Sequence, residues 1–120
     1  MITIYGLRNC DVCRKAMKWL AAEGIEATMH DFRKDGLDEL LLAQWLDICD
    51  WEILLNRRGT TWRKLGDQQK VDMDRSKAES LILVNPSLLK RPVIPLGNKI
   101  AVGFKEAEQK AVRQFAFNKA

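Results

Sequence analysis

Cys10 and Cys13 stand three residues apart in the stretch RNCDVCRKA, residues 8–16, where a short apolar run gives way to a helical pattern. On the first turn of a helix, that spacing falls within the Cα separation of roughly 4.4–6.8 Å that a disulfide tolerates. The same two thiols could instead supply half of a metal site, or simply pack, because cysteine is often buried as a small hydrophobe. For redox chemistry Cys10 is the natural nucleophile. A thiol at a helix amino terminus feels the macrodipole and free N–H groups, which favour thiolate, and Arg8, Arg14 and Lys15 act in the same direction while Asp11 opposes them. Cys13 could then resolve a mixed disulfide formed at Cys10.

A structural zinc ion needs four ligands, and the chain offers Cys10, Cys13, the distant Cys49 and one histidine, His30. Metal is thus the least supported of the three readings, and none is expected. Cys49 falls on an apolar helical face with Trp45 and reads as core; His30 reads as a partly exposed strand residue. Between redox and packing, the helix-start position favours redox.

The elements that must position this pair follow from composition and periodicity. With 120 residues, 47% of them hydrophobic, the chain is expected to form one domain with a core that needs no disulfide staples. The start, MITIYGL, enters an alternating strand with no basic-then-apolar leader, and no apolar run approaches the roughly 18 residues of a membrane span. A cytoplasmic location is therefore expected, without a membrane partner. There, a close cysteine pair more often means redox or metal chemistry than a structural bridge. Twenty basic against 16 acidic residues give a net charge of +4, a mixed solvated surface that does not argue for direct nucleic-acid binding.

Ile2 and Ile4 alternate with Thr3 and Tyr5 as a strand, and Val12, Ala16, Trp19 and Leu20 mark a helix over residues 11–23 that Gly24 stops. A second strand is predicted over residues 25–32, which makes a parallel β-α-β unit with the cysteines at the strand-to-helix turn. DFRKDG, residues 31–36, reads as a turn. Leu37, Leu40, Leu41, Leu42, Trp45, Leu46 and Cys49 then trace a helix, and short helical pieces continue to about residue 84. In the last piece Ser76 and Glu79 have capping-box spacing, and Asn85-Pro86 ends the helix. VIPL and KIAV flank Gly97-Asn98 as an antiparallel hairpin, and Phe104, Ala107, Ala111, Val112 and Phe115 define one face of a final helix. This order gives an α/β fold, a small mixed four-stranded sheet with helices on both faces: a thioredoxin-like plan (residues 1–34 and 91–120) with an inserted helical subdomain (residues 35–90).

Four blocks, NCDVCRKAMKWLAAEGI, HDFRKDGL, LLNRRGTTWRKL and KRPVIPLG, together resemble the arsenate reductase-like (ArsC/Spx/YffB) family over nearly the whole chain. The NRRGTTWRKL block is most similar to the YffB branch. The resemblance implies a thioredoxin fold with a helical insertion, and a cytosolic thiol reductase with Cys10 as nucleophile, Cys13 as a resolving thiol and Arg91 in the site. Pro92 matches the cis-proline of such folds, which would set backbone beside Cys10 to pair with an extended thiol peptide. An arginine of the insertion, Arg57 or Arg58, would join the site as a substrate-binding group; the alternative is a solvated basic face shared with Arg63 and Lys64. Guanidinium groups around a thiolate lower its pKa, and their planar forks can hold an oxyanion or a glutathione carboxylate. No bound cofactor is implied. Glutathione is the expected co-substrate, with glutathione or a glutaredoxin- or thioredoxin-type protein as reductant.

Two alternatives follow from the same resemblance. A Cys-x-x-Cys followed by RKA is also the look of Spx, a redox-switched regulator that binds the RNA polymerase alpha subunit. Glutaredoxin-linked arsenate reductases share the fold and the nucleophile but use one site cysteine and a further arginine near the last strand, where this chain reads AVGFK.

Overall fold

A computed structural model describes residues 2–117, in two compact units. The first comprises Met1–Gly36 and Arg91–Ala120, the second Leu37–Lys90. In the first unit β1 (Ile2–Gly6), α1 (Asp11–Ala22) and β2 (Ala27–Asp31) form the β-α-β start, and α2 (Phe32–Asp35) follows directly. The second unit carries α3 (Glu39–Ile48), α4 (Trp51–Leu54), α5 (Thr60–Arg63), α6 (Asp67–Lys70), α7 (Arg75–Val84) and a 3₁₀ turn at Pro86–Leu88. The chain then returns to the first unit as β3 (Val93–Leu96), β4 (Lys99–Val102) and α8 (Glu106–Phe117).

The sheet order is β2-β1-β3-β4, with β1 parallel to β2 and antiparallel to β3, and β3 antiparallel to β4. This is the mixed sheet of a thioredoxin-like fold. Alternation sets its faces. Ile2 and Ile4 of β1, Ile94 and Leu96 of β3 and Ala101 of β4 turn to one side and pack with Ala16 and Leu20 of α1 and Val112 of α8. Each fully buried Leu, Ile or Val in this layer contributes about 1.5–3 kcal/mol relative to exposure. Both twelve-residue helices therefore cover the same face of the sheet. They are also tied laterally, because Arg113 Nε donates to Glu23 Oε1 at 2.5 Å and its guanidinium lies 5.1 Å from the centre of the Trp19 ring.

Gly24, at φ +74°, ends α1, and Gly97, at φ +68°, closes the β3–β4 hairpin. Both need the left-handed region that glycine enters at no steric cost. Three local expectations are corrected. The DFRKDG stretch contains a helical turn, α2, because the Asp31 carboxylate accepts from the N–H groups of Arg33 and Lys34 and caps it. Helix α7 begins ahead of the Ser76–Glu79 pair: Asp74 is its N-cap and accepts from Lys77 N at 2.8 Å, a carboxylate there also complementing the helix dipole. Phe115 lies on the predicted stripe of α8 yet is 47% exposed, while Val112 is fully buried.

The second unit has its own core of Leu42, Trp45, Leu46, Leu54, Leu55, Ala78, Leu81, Ile82, Leu88 and Leu89. A bridge between Leu55 and Leu89 closes it, with Asn56 N donating to Leu88 O and Lys90 N to Leu54 O. Among the described residues no helix is long and apolar enough to cross a membrane.

Candidate active site

Strand β1 delivers the chain to a tight turn, Leu7–Cys10, closed by Cys10 N donating to Leu7 O at 3.1 Å. Cys10 is then the N-cap of α1, with extended backbone at φ −94°, ψ 125°, and it forms no side-chain capping hydrogen bond. A serine or aspartate there would satisfy the first helical N–H groups. Cysteine leaves them to act on its sulfur, and Asp11 begins the helix proper.

Cys10 is half-buried and Cys13 is buried; both are free thiols. Partial burial pushes the Cys10 thiol up, but the Cys13 N–H, the Arg91 guanidinium, the Cys13 thiol and the Val12 N–H together outweigh it and hold Cys10 below the ordinary thiol value. Cys13 moves the other way. Burial pushes it up to about 11; the Leu7 N–H opposes, repulsion from Cys10 and the hydrogen bond to Cys10 add to the rise, and the Arg91 charge opposes. The two shifts describe one interaction: the Cys13 thiol donates to the Cys10 sulfur. One thiolate is poised at the helix start, with a protonated thiol behind it.

Arg91 reaches this pair from the strand side of the fold. It precedes Pro92, which is buried, and the Arg91–Pro92 peptide bond is cis. Pro92 O accepts from Gly103 N at 2.9 Å, which anchors the segment beside β4. Gly6, at the end of β1, packs under the same site. A Cβ built on it would run into Cys13 Sγ and lie 3.9 Å from Arg91 Cβ. Only glycine leaves room for the second thiol there.

Of the other residues singled out from the sequence, Arg57, Arg58 and Cys49 belong to the second unit and His30 to the first. Arg57 is committed: Nη2 lies 3.5 Å from Glu52 Oε2, and its guanidinium sits 5.7 Å from the Trp51 ring centre. Arg58 is held by its backbone, its N–H donating to Asn56 Oδ1 at 3.0 Å and its carbonyl accepting from Arg63 Nη2 at 3.2 Å. Its own guanidinium makes no ion pair or hydrogen bond among the described residues. Cys49 ends α3, and burial raises its thiol pKa. His30 sits on β2 against the Tyr5 ring, with Nε2 2.7 Å from Gly36 O. Among the described residues no group of three or more His, Cys, Asp or Glu is placed to hold a metal ion.

Sequence reasoning missed two residues around this site. Gly6 reads as an ordinary strand end, and only the Cys13 thiol against its Cα exposes its importance. Asp31, 8% exposed, accepts from Arg8 N at 3.0 Å within the turn that carries Cys10. The available signal was an aspartate just before Phe32-Arg33-Lys34, an N-cap pattern.

The model of the ArsC family matches residues 5–112. An uncharacterized protein of Haemophilus influenzae is 47% identical over 111 residues, covering 92% of this chain and 97% of its own. Global transcriptional regulator Spx 2 of Lactococcus lactis is 33% identical over 113 residues, covering 92% and 85%. Among solved structures, a YFFB protein superposes with a TM-score of 0.87 at 40% identity, covering 92% of this chain and 97% of that one. An arsenate reductase (ArsC) related protein from Brucella melitensis superposes with a TM-score of 0.75 at 44% identity, covering 99% and 95%.

Proposed function

The chain belongs to the ArsC family, and from that premise we propose that it is a glutathione-dependent thiol-disulfide reductase in which Cys10 is the nucleophile and Cys13 the resolving thiol. The observation that carries this reading is the opposed pair of thiols, Cys10 held below the ordinary value beside Arg91 and Cys13 held protonated behind it.

In the first step the Cys10 thiolate attacks one sulfur of a substrate disulfide. A Cys10–substrate S–S bond forms, the substrate S–S bond breaks, and the leaving thiolate takes a proton from solvent. Loss of negative charge on Cys10 removes two of the influences that raise Cys13, its repulsion and its hydrogen-bond acceptor, while burial remains. Cys13 then gives up its proton and attacks Cys10 Sγ, closing the intramolecular disulfide and releasing the second substrate thiol. Two glutathione molecules restore the dithiol through a glutathione mixed disulfide and leave as oxidised glutathione, so two electrons pass from glutathione to substrate.

Arg91 has two roles in this scheme: it favours the thiolate, and its planar fork suits a substrate carboxylate. Pro92 presents backbone to an extended thiol peptide. By the family resemblance, one arginine of the insertion, Arg57 or Arg58, serves as the group that binds an anionic substrate. No bound cofactor is required, and the cytoplasm is the compartment that would supply the reductant. Turnover of a glutathione mixed disulfide by the wild type and its complete loss in Cys10→Ser test the proposal; full activity in that variant would overturn it.

Similarity to an Spx regulator over 92% of the chain favours a second reading, a redox-switched protein that contacts the RNA polymerase alpha subunit. Failure to retain that subunit in either redox state removes it. Arsenate reduction is the third reading, supported by the Brucella melitensis relative. It is tested by arsenate-dependent oxidation of glutathione with glutaredoxin supplied.

A further inference from the structure

Asp31 ends β2 with its carboxylate buried at 8% exposure, and its two oxygens serve two different segments. Oδ2 accepts from Arg8 N at 3.0 Å, inside the Leu7–Cys10 turn; Oδ1 accepts from Arg33 N at 2.8 Å and Lys34 N at 3.3 Å, at the start of α2. Its own N–H donates to Asp35 Oδ2 at 3.2 Å, which fixes the backbone that carries the carboxylate. The turn held in this way sets both thiols, since Cys10 N donates to Leu7 O and the Leu7 N–H faces the Cys13 sulfur.

We propose that Asp31 is a positioning residue for Cys10, its carboxylate clamping the Leu7–Cys10 turn to the start of α2 so that the thiol stays against the first N–H groups of α1 and the Arg91 guanidinium. This rests on Cys10 being the reactive thiolate. Carboxylate chemistry explains why aspartate occupies the position. An asparagine has a single acceptor oxygen, so it cannot serve the turn on one side and the helix cap on the other, and its NH₂ meets a donor wherever it is turned. Asp31 stays ionised over the working pH range, because the Arg8 N–H and then the Arg33 and Lys34 N–H groups, against partial desolvation, hold its pKa below the usual carboxylate value.

The sign of the effect separates positioning from charge. A carboxylate near a thiolate opposes it, so if Asp31 acted only through its charge, Asp31→Asn would make Cys10 easier to ionise. As a clamp, its loss loosens the turn and makes Cys10 harder to ionise.

The test is the pH dependence of Cys10 alkylation by iodoacetamide, located by mass spectrometry, in the wild type, Asp31→Asn, Arg8→Pro and Arg8→Ala. Proline suits the second position of the turn but removes the N–H that Asp31 accepts, leaving the carboxylate and the α2 cap in place; alanine removes the Arg8 charge and keeps the N–H. Asp31→Asn and Arg8→Pro are both expected to move the profile up by about one pH unit, and Arg8→Ala by less. Arg8→Pro keeps the test decisive if Asp31→Asn does not fold. A low wild-type profile that Asp31→Asn leaves unmoved or lowers, or that Arg8→Pro moves no more than Arg8→Ala, overturns the clamp. A wild-type profile at the ordinary thiol value overturns the Cys10 reading on which the clamp rests.

Discussion

The Cys13 thiol donates to the Cys10 sulfur, which adds to the lowering of Cys10 by the Cys13 N–H and Arg91 and to the rise of Cys13, pushed up to about 11 chiefly by burial. At neutral pH, alkylation should therefore label Cys10 first and leave Cys13 nearly untouched. Cys13→Ala removes the donor and should move the Cys10 profile to higher pH. Equal labelling of the two thiols in the wild type would contradict this order.

The Cys13 shift also makes a stability prediction. Its folded pKa lies above its unfolded value, so below about pH 8.5 it is protonated in both states and neutral to the balance. As pH rises from there towards 11, the unfolded state loses the proton first and stability falls, by on the order of 2 kcal/mol. Urea midpoints at pH 8 and pH 10.5 should diverge more in the wild type than in Cys13→Ala; equal divergence would count against a raised Cys13.

Arg91 favours the Cys10 thiolate through its side chain. Arg91→Ala should lower the rate of Cys10 alkylation at pH 7 by roughly tenfold, equivalent to about one pKa unit. Arg91→Lys keeps a charge without the planar fork, and should restore part of the alkylation rate but less of the affinity for a glutathione mixed disulfide. The comparison is made by stopped-flow labelling and by KM.

Gly6→Ala places a methyl group where Cys13 Sγ lies. Overpacking of this kind costs about 1–3 kcal/mol, and most of that cost should disappear when Gly6→Ala is combined with Cys13→Ala. A double-mutant cycle by chemical denaturation reads the coupling. Additivity would mean that the two residues do not share the space.

If an arginine of the insertion binds an anionic disulfide substrate, as proposed, Arg57→Ala or Arg58→Ala should raise KM for it with kcat little changed. Steady-state kinetics on both variants, with Cys49→Ala as a substitution outside the proposed chemistry, checks this; an unchanged KM in both would remove the insertion arginines from the proposal.

The features legible in the sequence were those carried by local spacing. Alternation at Ile2 and Ile4, the helical period from Val12 to Leu20 and the Gly97-Asn98 turn each act within a few residues, and all three elements formed. Cys10 and Cys13 announced themselves because one helical turn relates them. Arg91 is far from them in sequence, and no periodicity places it at the thiol; it emerged through the family resemblance. Gly6 and Asp31 escaped for a related reason. Each matters through a contact made by tertiary packing, Gly6 with Cys13 and Asp31 with the Arg8 N–H. Phe115 shows the reverse limit, since helical spacing put it on the apolar stripe of α8 while the structure buries Val112 and leaves Phe115 largely exposed.

The most direct measurement equilibrates the purified protein with glutathione redox buffers and follows Cys10 and Cys13 by mass spectrometry, alongside Cys13→Ser. The predicted result is a reversible Cys10–Cys13 disulfide that tracks the buffer in the wild type, replaced by a Cys10 glutathione adduct in the variant. A wild type that forms only the Cys10 adduct, with Cys13 still a free thiol, would contradict the resolving role of Cys13 and leave a single-cysteine reaction resolved by glutathione.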